Sequence, residues 1–234
     1  MAPRNKVLCA LPADELLELS KWLRPVELRY QQVLLRPGQP IEGLWFPESC
    51  VVSLVIPMPE GREVECGMIG AEGVVGLGGA ITGGCSYTRQ AVQIGGPALR
   101  LSKPRLLQGL RRLPTFVRLL HESHDAFVAH CLQTTACFAI HSAPERLARS
   151  LLELSDRACS DELPLTHDVL ALTIGGSRQT VTTVLSQLER VGALSTHRNR
   201  ILLLDKRVIE ARACSCYRVA HASAEPFRHP LASR

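Results

Sequence analysis

The sequence has no histidine before His121, no cysteine pair spaced C-x2-C, and no apolar run long enough to span a bilayer. Each absence removes a class of function. A first half without histidine argues against a cupin-like metal enzyme, whose ligands come from strand histidines. Without C-x2-C, an all-thiolate zinc or iron–sulfur site has weak support. The glycines of "GAEGVVGLGGAITGG" do not fall as G-x-G-x-x-G opening a helix, so no dinucleotide fingerprint is present. No base–nucleophile or paired-carboxylate constellation can be placed, so the chain reads as a non-enzyme without cofactor. The opening "MAPRNKVLCALPADELLELSKWL" mixes charge throughout and has no cleavable signal, so a cytoplasmic protein without a membrane partner is expected.

Nine cysteines, an odd number at irregular spacing, argue against a disulfide framework and read as core-filling or incidental thiols. Cys214 and Cys216 in "ACSCY" stand too close together and too isolated for a four-ligand zinc site. His121 and His124 lie one helical turn apart, but two ligands do not make a site. No metal is expected.

The 234 residues suffice for two domains, and 46% hydrophobic against 21% charged content supports sizeable cores. A net charge of +5 suits a polyanionic partner without requiring one. The spacing of Leu8, Leu11, Leu16, Leu19 and Leu23 predicts a helix over 1–24, ended by Pro25. Short β-like runs follow up to about Arg100, with "VVSLVIPM" and "REVECGMIG" flanking a hairpin turn. Helical spacing returns from about Lys103 to His141 and is uninterrupted after Pro114. A helix of that length serves as a spine or dimer seam, here with a Phe-rich face including Phe116, Phe127 and Phe138, or it packs wholly inside its own domain. Ser142 and Glu145 then form a capping box that starts a new helix.

The fold expected is α+β: an N-terminal antiparallel β-roll of double-stranded β-helix or jelly-roll type, a long dimerisation helix, and a C-terminal winged helix-turn-helix. The boundaries drawn are 1–113 for the roll, 114–143 for the long helix and hinge, 144–217 for the winged helix-turn-helix, and 218–234 for a mobile tail. The winged motif rests on "LTHDVLALTIGGSRQTVTTVLSQLERVGAL". Thr166 caps a first helix, Gly-Gly turns, and Ser177 caps a second whose Val181, Val184, Leu185 and Leu188 face inward. That leaves Arg178, Gln179, Thr180, Thr182 and Thr183 toward a partner, followed by a basic turn of His197, Arg198, Asn199 and Arg200. In double-stranded DNA, Arg suits guanine, Gln suits adenine, and turn cations suit phosphate. From Gly175 to Tyr217 seven Lys/Arg stand against three Asp/Glu.

These elements in this order resemble the Crp/Fnr transcription regulators; Ser177, Arg178, Thr180 and Val181 match the family's Ser-Arg-x-Thr-Val pattern. The resemblance implies a homodimer on a pseudo-palindromic operator, acting on RNA polymerase, with an effector pocket in the roll. The pocket counterparts are Gly70 and Glu72, split by Ala71, then Arg89 and Gln90. The family's cyclic-nucleotide binders carry Gly-Glu unbroken and Ser or Thr after the Arg, so control by cyclic AMP is not expected and any small-molecule effector is unidentified. The competing reading is a small-ligand or redox sensor that works through protein contacts.

Overall fold

The computed structural model describes residues 3–61, 63–81 and 83–223. The N-terminal helix expected over 1–24 is two short helices, α1 (Lys6–Cys9) and α2 (Ala13–Ser20). Pro12 separates them, because it has no N–H to continue a helix and sits instead just before the first turn of α2. Asn5 caps α1 and donates to the carbonyls of Pro47 (3.1 Å) and Gly73 (2.9 Å), which ties the N-terminus into the roll.

The roll runs β1 (Arg24–Leu28), β2 (Val33–Leu35), β3 (Gly43–Pro47), β4 (Val51–Pro57), β5 (Glu63–Ile69), α3 (Leu77–Ala80), β6 (Arg89–Ile94) and β7 (Gly96–Ser102). Its strands form two antiparallel sheets, ordered β1-β7-β3 and β2-β6-β4-β5. The hairpin pairs Val52 with Ile69 through Pro57 with Glu63. Pro25 does not end an element: it lies within β1, an edge strand, where a missing N–H costs no ladder bond. Trp45 packs against both apolar clusters of the roll.

Helices α4 (Lys103–Arg112) and α5 (Pro114–Ile140) divide at Pro114. No side chain of its own flank caps α5. Glu15 does so from α2, accepting the backbone N–H groups of Thr115 (3.0 Å) and Phe116 (2.8 Å), where a carboxylate also opposes the positive helix end. Phe116 and Leu120 are buried in the roll's own core, Phe127 rests on β5 at Gly67, and Phe138 is half-buried. The Phe-rich face therefore turns inward. The large apolar residues that α5 leaves exposed are Val128, Leu132 and Ile140, and with the exposed Ala136 they form a stripe spaced four apart, beside Ala129 and Ala139.

The C-terminal part comprises α6 (Ala143–Ala158), β8 (Glu162–Leu163), α7 (His167–Thr173), α8 (Arg178–Arg190), β9 (Leu194–His197), β10 (Arg200–Leu203), α9 (Lys206–Glu210) and α10 (Cys216–Ser223). The Ser142–Glu145 capping box is formed. Residues 218–223, expected to open a tail, are instead helical in α10, whose first residue Cys216 is buried with Cys137 of α5. Residues 224–234 lie outside the described residues. Leu147, Leu151 and Leu154 of α6 share one apolar cluster with Val51, Met68 and Ile94 of the roll, so the two halves have a common core. Among the described residues no helix is long and apolar enough to cross a membrane.

Candidate DNA-binding face and effector cavity

Helix α8 is placed by burial of Val181, Val184, Leu185 and Leu188, the inward face expected from their spacing. Ser177 caps it, its Oγ accepting the Thr180 N–H at 3.1 Å; Thr166 caps α7 in the same way through Val169. Arg178, Gln179, Thr182 and Thr183 are exposed along one side, and Thr180 is half-buried. The Thr182 and Thr183 hydroxyls donate back to the carbonyls of Arg178 and Gln179, both at 3.0 Å. With their protons engaged, these hydroxyls offer a partner only acceptor lone pairs beside their methyl groups. Arg178 lies 3.7 Å from Asp168 of α7, and His167 Nδ1 reaches the Thr182 hydroxyl at 2.9 Å. Neither α7 side chain belonged to the expected site.

Residues His197 to Arg200 form the tip of the β9–β10 hairpin, all exposed, with His197 paired to Arg200. Arg198 (φ +34°) and Asn199 (φ +66°) both take left-handed backbone, as a two-residue hairpin turn of this twist requires. Arg200 is held by Glu162 of β8 at 2.7 Å, an exposed pair that the sequence spacing did not reveal.

The turn between α7 and α8 is locked to the end of α5. Gly175 has φ +56°, and a Cβ there would meet the Phe138 ring at 3.0 Å. The Arg146 guanidinium lies over the Phe138 ring, 5.0 Å from its centroid, and donates to the carbonyls of His141 (2.6 Å) and Ile174 (3.0 Å). The end of α5, the start of α6 and the α7–α8 turn thus share one set of contacts.

A cavity of about 190 Å³ opens between the roll and α5, lined among others by Glu72, Gln90, Ser123, Phe127, His130 and Arg157. Of the four expected pocket residues it takes only Glu72 and Gln90. Arg89 pairs with Glu63 instead, since successive strand residues point to opposite faces, and Gly70 packs so tightly on Arg157 that a Cβ would meet it at 2.5 Å. The cavity's cation is Arg157, which reaches in from α6. Its Nε donates to Glu72 Oε1 at 3.0 Å and its Nη1 lies 3.4 Å from Glu153 Oε2. Glu72 Oε2, Gln90 Oε1 and His130 Nε2 are buried with no hydrogen-bond partner among the described residues, which leaves room for a polar guest.

Behind the cavity lies a buried polar network that joins the halves. Gln93 donates to the Thr173 hydroxyl at 2.8 Å, and that hydroxyl lies 3.3 Å from the Glu65 carboxylate, which also accepts from Ser53. Burial pushes Glu65 up to about 7, with the neighbouring Glu153 adding to the effect while its hydroxyl donors oppose it. Burial, reinforced by the Arg157 cation, pushes His130 down to about 3, so its ring is neutral. Burial also works against the Glu153 carboxylate, but the Arg157 and Arg149 guanidiniums hold it below its ordinary value.

A second grouping overturns the isolation expected of Cys214 and Cys216. Folding brings both to Cys137 and His141 at the end of α5, with all four ligating atoms within 4.8 Å of one another. Among the described residues His121 and His124 join no such group, and His124 lines the cavity.

Residues 145–212 match the family model of the Crp-like helix-turn-helix domain. The curated transcriptional regulator SdrP of Thermus thermophilus is 38% identical over 106 residues, which are 43% of this chain and 52% of that protein. The chain thus matches about half the length of this relative. Among solved structures, FixK2 from Bradyrhizobium japonicum superposes with a TM-score of 0.70 at 18% identity, over 82% of this chain and 98% of that one. The CLP regulator of Xanthomonas campestris, described as responsive to c-di-GMP, gives 0.65 at 20% identity over 82% and 99%. At such identities these structures share the fold.

Proposed function

We propose that this chain, a member of the Crp/Fnr family, is a sequence-specific DNA-binding regulator of transcription that acts as a homodimer on a pseudo-palindromic operator. The observation that carries the reading is the exposed first turn of α8. Ser177 caps it, Arg178 and Gln179 project from it, and the basic hairpin stands beside it. In the major groove Arg178 pairs with guanine O6/N7 and Gln179 with adenine N6/N7, while Arg198 and Arg200 lie on phosphates. The unpartnered stripe Val128–Leu132–Ala136–Ile140 supports α5 as the dimer seam, and two copies then set their reading helices about 34 Å apart. Bound in this way, the protein recruits or blocks RNA polymerase.

Cyclic AMP is not the effector on this reading. Arg89, the family's phosphate partner, is engaged by Glu63, and a hydroxyl is missing at Gln90. The cavity instead suits a small molecule with an anionic group for Arg157 and donors for the orphaned oxygens of Glu72 and Gln90. Because Arg157 belongs to α6, such a ligand acts directly on the DNA-binding half.

The test is selection from random duplex DNA with the wild type, Arg178→Ala and Arg200→Ala. The wild type should recover an inverted repeat, unchanged by added cyclic AMP. Arg178→Ala should lose about 1–3 kcal/mol on it and relax one guanine per half-site. Arg200→Ala should keep the motif and weaken all sequences alike. Recovery of the same motif by Arg178→Ala, with an altered one from Arg200→Ala, would show that the docking is wrong.

A further inference from the structure

We infer that Cys137, His141, Cys214 and Cys216 form a tetrahedral site for one zinc(II) ion at the hinge between the long helix and the DNA-binding half. The four residues come from two places. Cys137 and His141 are four apart at the end of α5 and so share a face; Cys214 and Cys216 sit where the chain turns into α10. The Cys137 and Cys214 sulfurs are 3.5 Å apart, and Cys216 Sγ is 3.5 Å from His141 Nδ1. No pair among the four ligand atoms exceeds 4.8 Å. Zinc–sulfur bonds of about 2.3 Å and zinc–nitrogen bonds of about 2.0–2.1 Å put the edges of a regular tetrahedron at roughly 3.5–3.8 Å. The four atoms therefore need to move only by fractions of an ångström to about one ångström to close on an ion.

Donor chemistry points the same way. Three sulfurs with one imidazole nitrogen is a standard closed structural set for zinc, with no coordination position left for substrate. An iron–sulfur cubane spreads its ligands around several metal atoms and needs a wider set than this one. The three sulfurs are buried, while His141 is half-exposed at the helix end and gives the ion a way in. On binding, zinc(II) displaces the three thiol protons and leaves the site with one net negative charge. The surroundings supply what that charge needs. The Arg149 guanidinium lies beside Cys137, held in place by Glu153 (2.9 Å) and Thr134 (2.8 Å), and Gln133 Nε2 donates to Cys216 Sγ at 2.9 Å. Simple packing of free thiols as small apolar groups accounts for the burial, but not for an imidazole nitrogen and an amide N–H both directed at the same sulfur.

The position gives the ion a consequence. Phe138, next to Cys137, is the ring against which the Gly175 turn rests. An ion bound here clamps α10 to the last turn of α5 and fixes the segment from which the reading head is hung.

The experiment uses the full chain, purified under reductant, stripped with a chelator and titrated with cobalt(II) as the spectroscopic stand-in. We expect one cobalt per chain, with sulfur-to-metal charge transfer and the intense visible bands of a tetrahedral thiolate-rich site, displaced by one equivalent of zinc. Cys214→Ser and His141→Ala should lose or shift those bands, while Cys9→Ser and Cys159→Ser, at exposed cysteines elsewhere, keep them. Should Cys214→Ser fail to fold, wild-type melting with and without zinc decides, since binding must raise the melting temperature. Absence of cobalt bands and of a zinc-dependent shift in the reduced protein would overturn the site. So would iron accompanied by acid-labile sulfide, or a Cys137–Cys214 disulfide that forms equally with and without zinc.

Discussion

Glu65 is a carboxyl that the fold keeps away from water and surrounds with neutral donors, Ser53 and Thr173, rather than a cation. Its value of about 7 against an ordinary 4.5 fixes the sign of a pH effect. Below pH 4.5 the group is protonated in folded and unfolded chains alike. Between 4.5 and about 7 only the folded chain holds the proton, so the stability it lends is complete below that window and lost as pH rises through it. At about 1.4 kcal/mol per unit the full loss is on the order of 3 kcal/mol. Glu65→Gln keeps hydrogen-bonding capacity and removes the charge. Melting curves from pH 5 to 8 should show the variant overtaking the wild type as pH rises, and parallel curves would dismiss Glu65 as the cause. Since Thr173 is in α7, that loss falls on the seam between the roll and the helix-turn-helix half.

At the scale of elements, α5 shows what spacing can and cannot tell. Its length and start at Pro114 are legible in the sequence, but it carries two apolar stripes, and helical periodicity does not say which one faces home. The roll claims Phe116, Leu120 and Phe127, leaving Val128, Leu132, Ala136 and Ile140 exposed. If this stripe is the seam of the proposed dimer, Leu132→Asp should give a monomer in sedimentation at micromolar concentration without lowering the melting temperature of the protomer. A variant that sediments as the wild type does would move the seam elsewhere. The helix-turn-helix was readable because caps, turn glycines and inward residues are local signals. The cavity was half readable: alternation along β6 allows Gln90 or Arg89 to face inward, and only three-dimensional pairing with Glu63 chooses. Nothing local joins Cys137 to Cys214, which are 77 positions apart. Pairings of that range depend on where α10 packs, and the tail that hid α10 looked aperiodic.

For the whole molecule, the boundaries drawn at 113 and 143 separate jobs more cleanly than they separate structure. Arg157, in α6, is held by Glu72 of the roll, and its backbone carbonyl accepts the Ala71 N–H at 3.3 Å. An effector that draws the Arg157 side chain away from Glu72 would disturb this latch without touching α8. Contacts of this kind are well suited to pass a signal, because the alternative to pairing is a buried, uncompensated charge.

The apolar cluster that Val51, Met68 and Ile94 share with α6 also bears on how the chain comes apart. Two domains on a flexible tether melt independently, each at its own temperature. Here, opening one half strips apolar surface and ion-pair partners from the other, so a partly unfolded protomer is the least favourable species in the series. Differential scanning calorimetry on the reduced protein should record one endotherm, where separate domains would give two. Two resolved peaks would mean that the shared core contributes little. A single one would make the protomer one cooperative unit, in which a substitution deep in the roll is felt as a change in the population of intact helix-turn-helix domains.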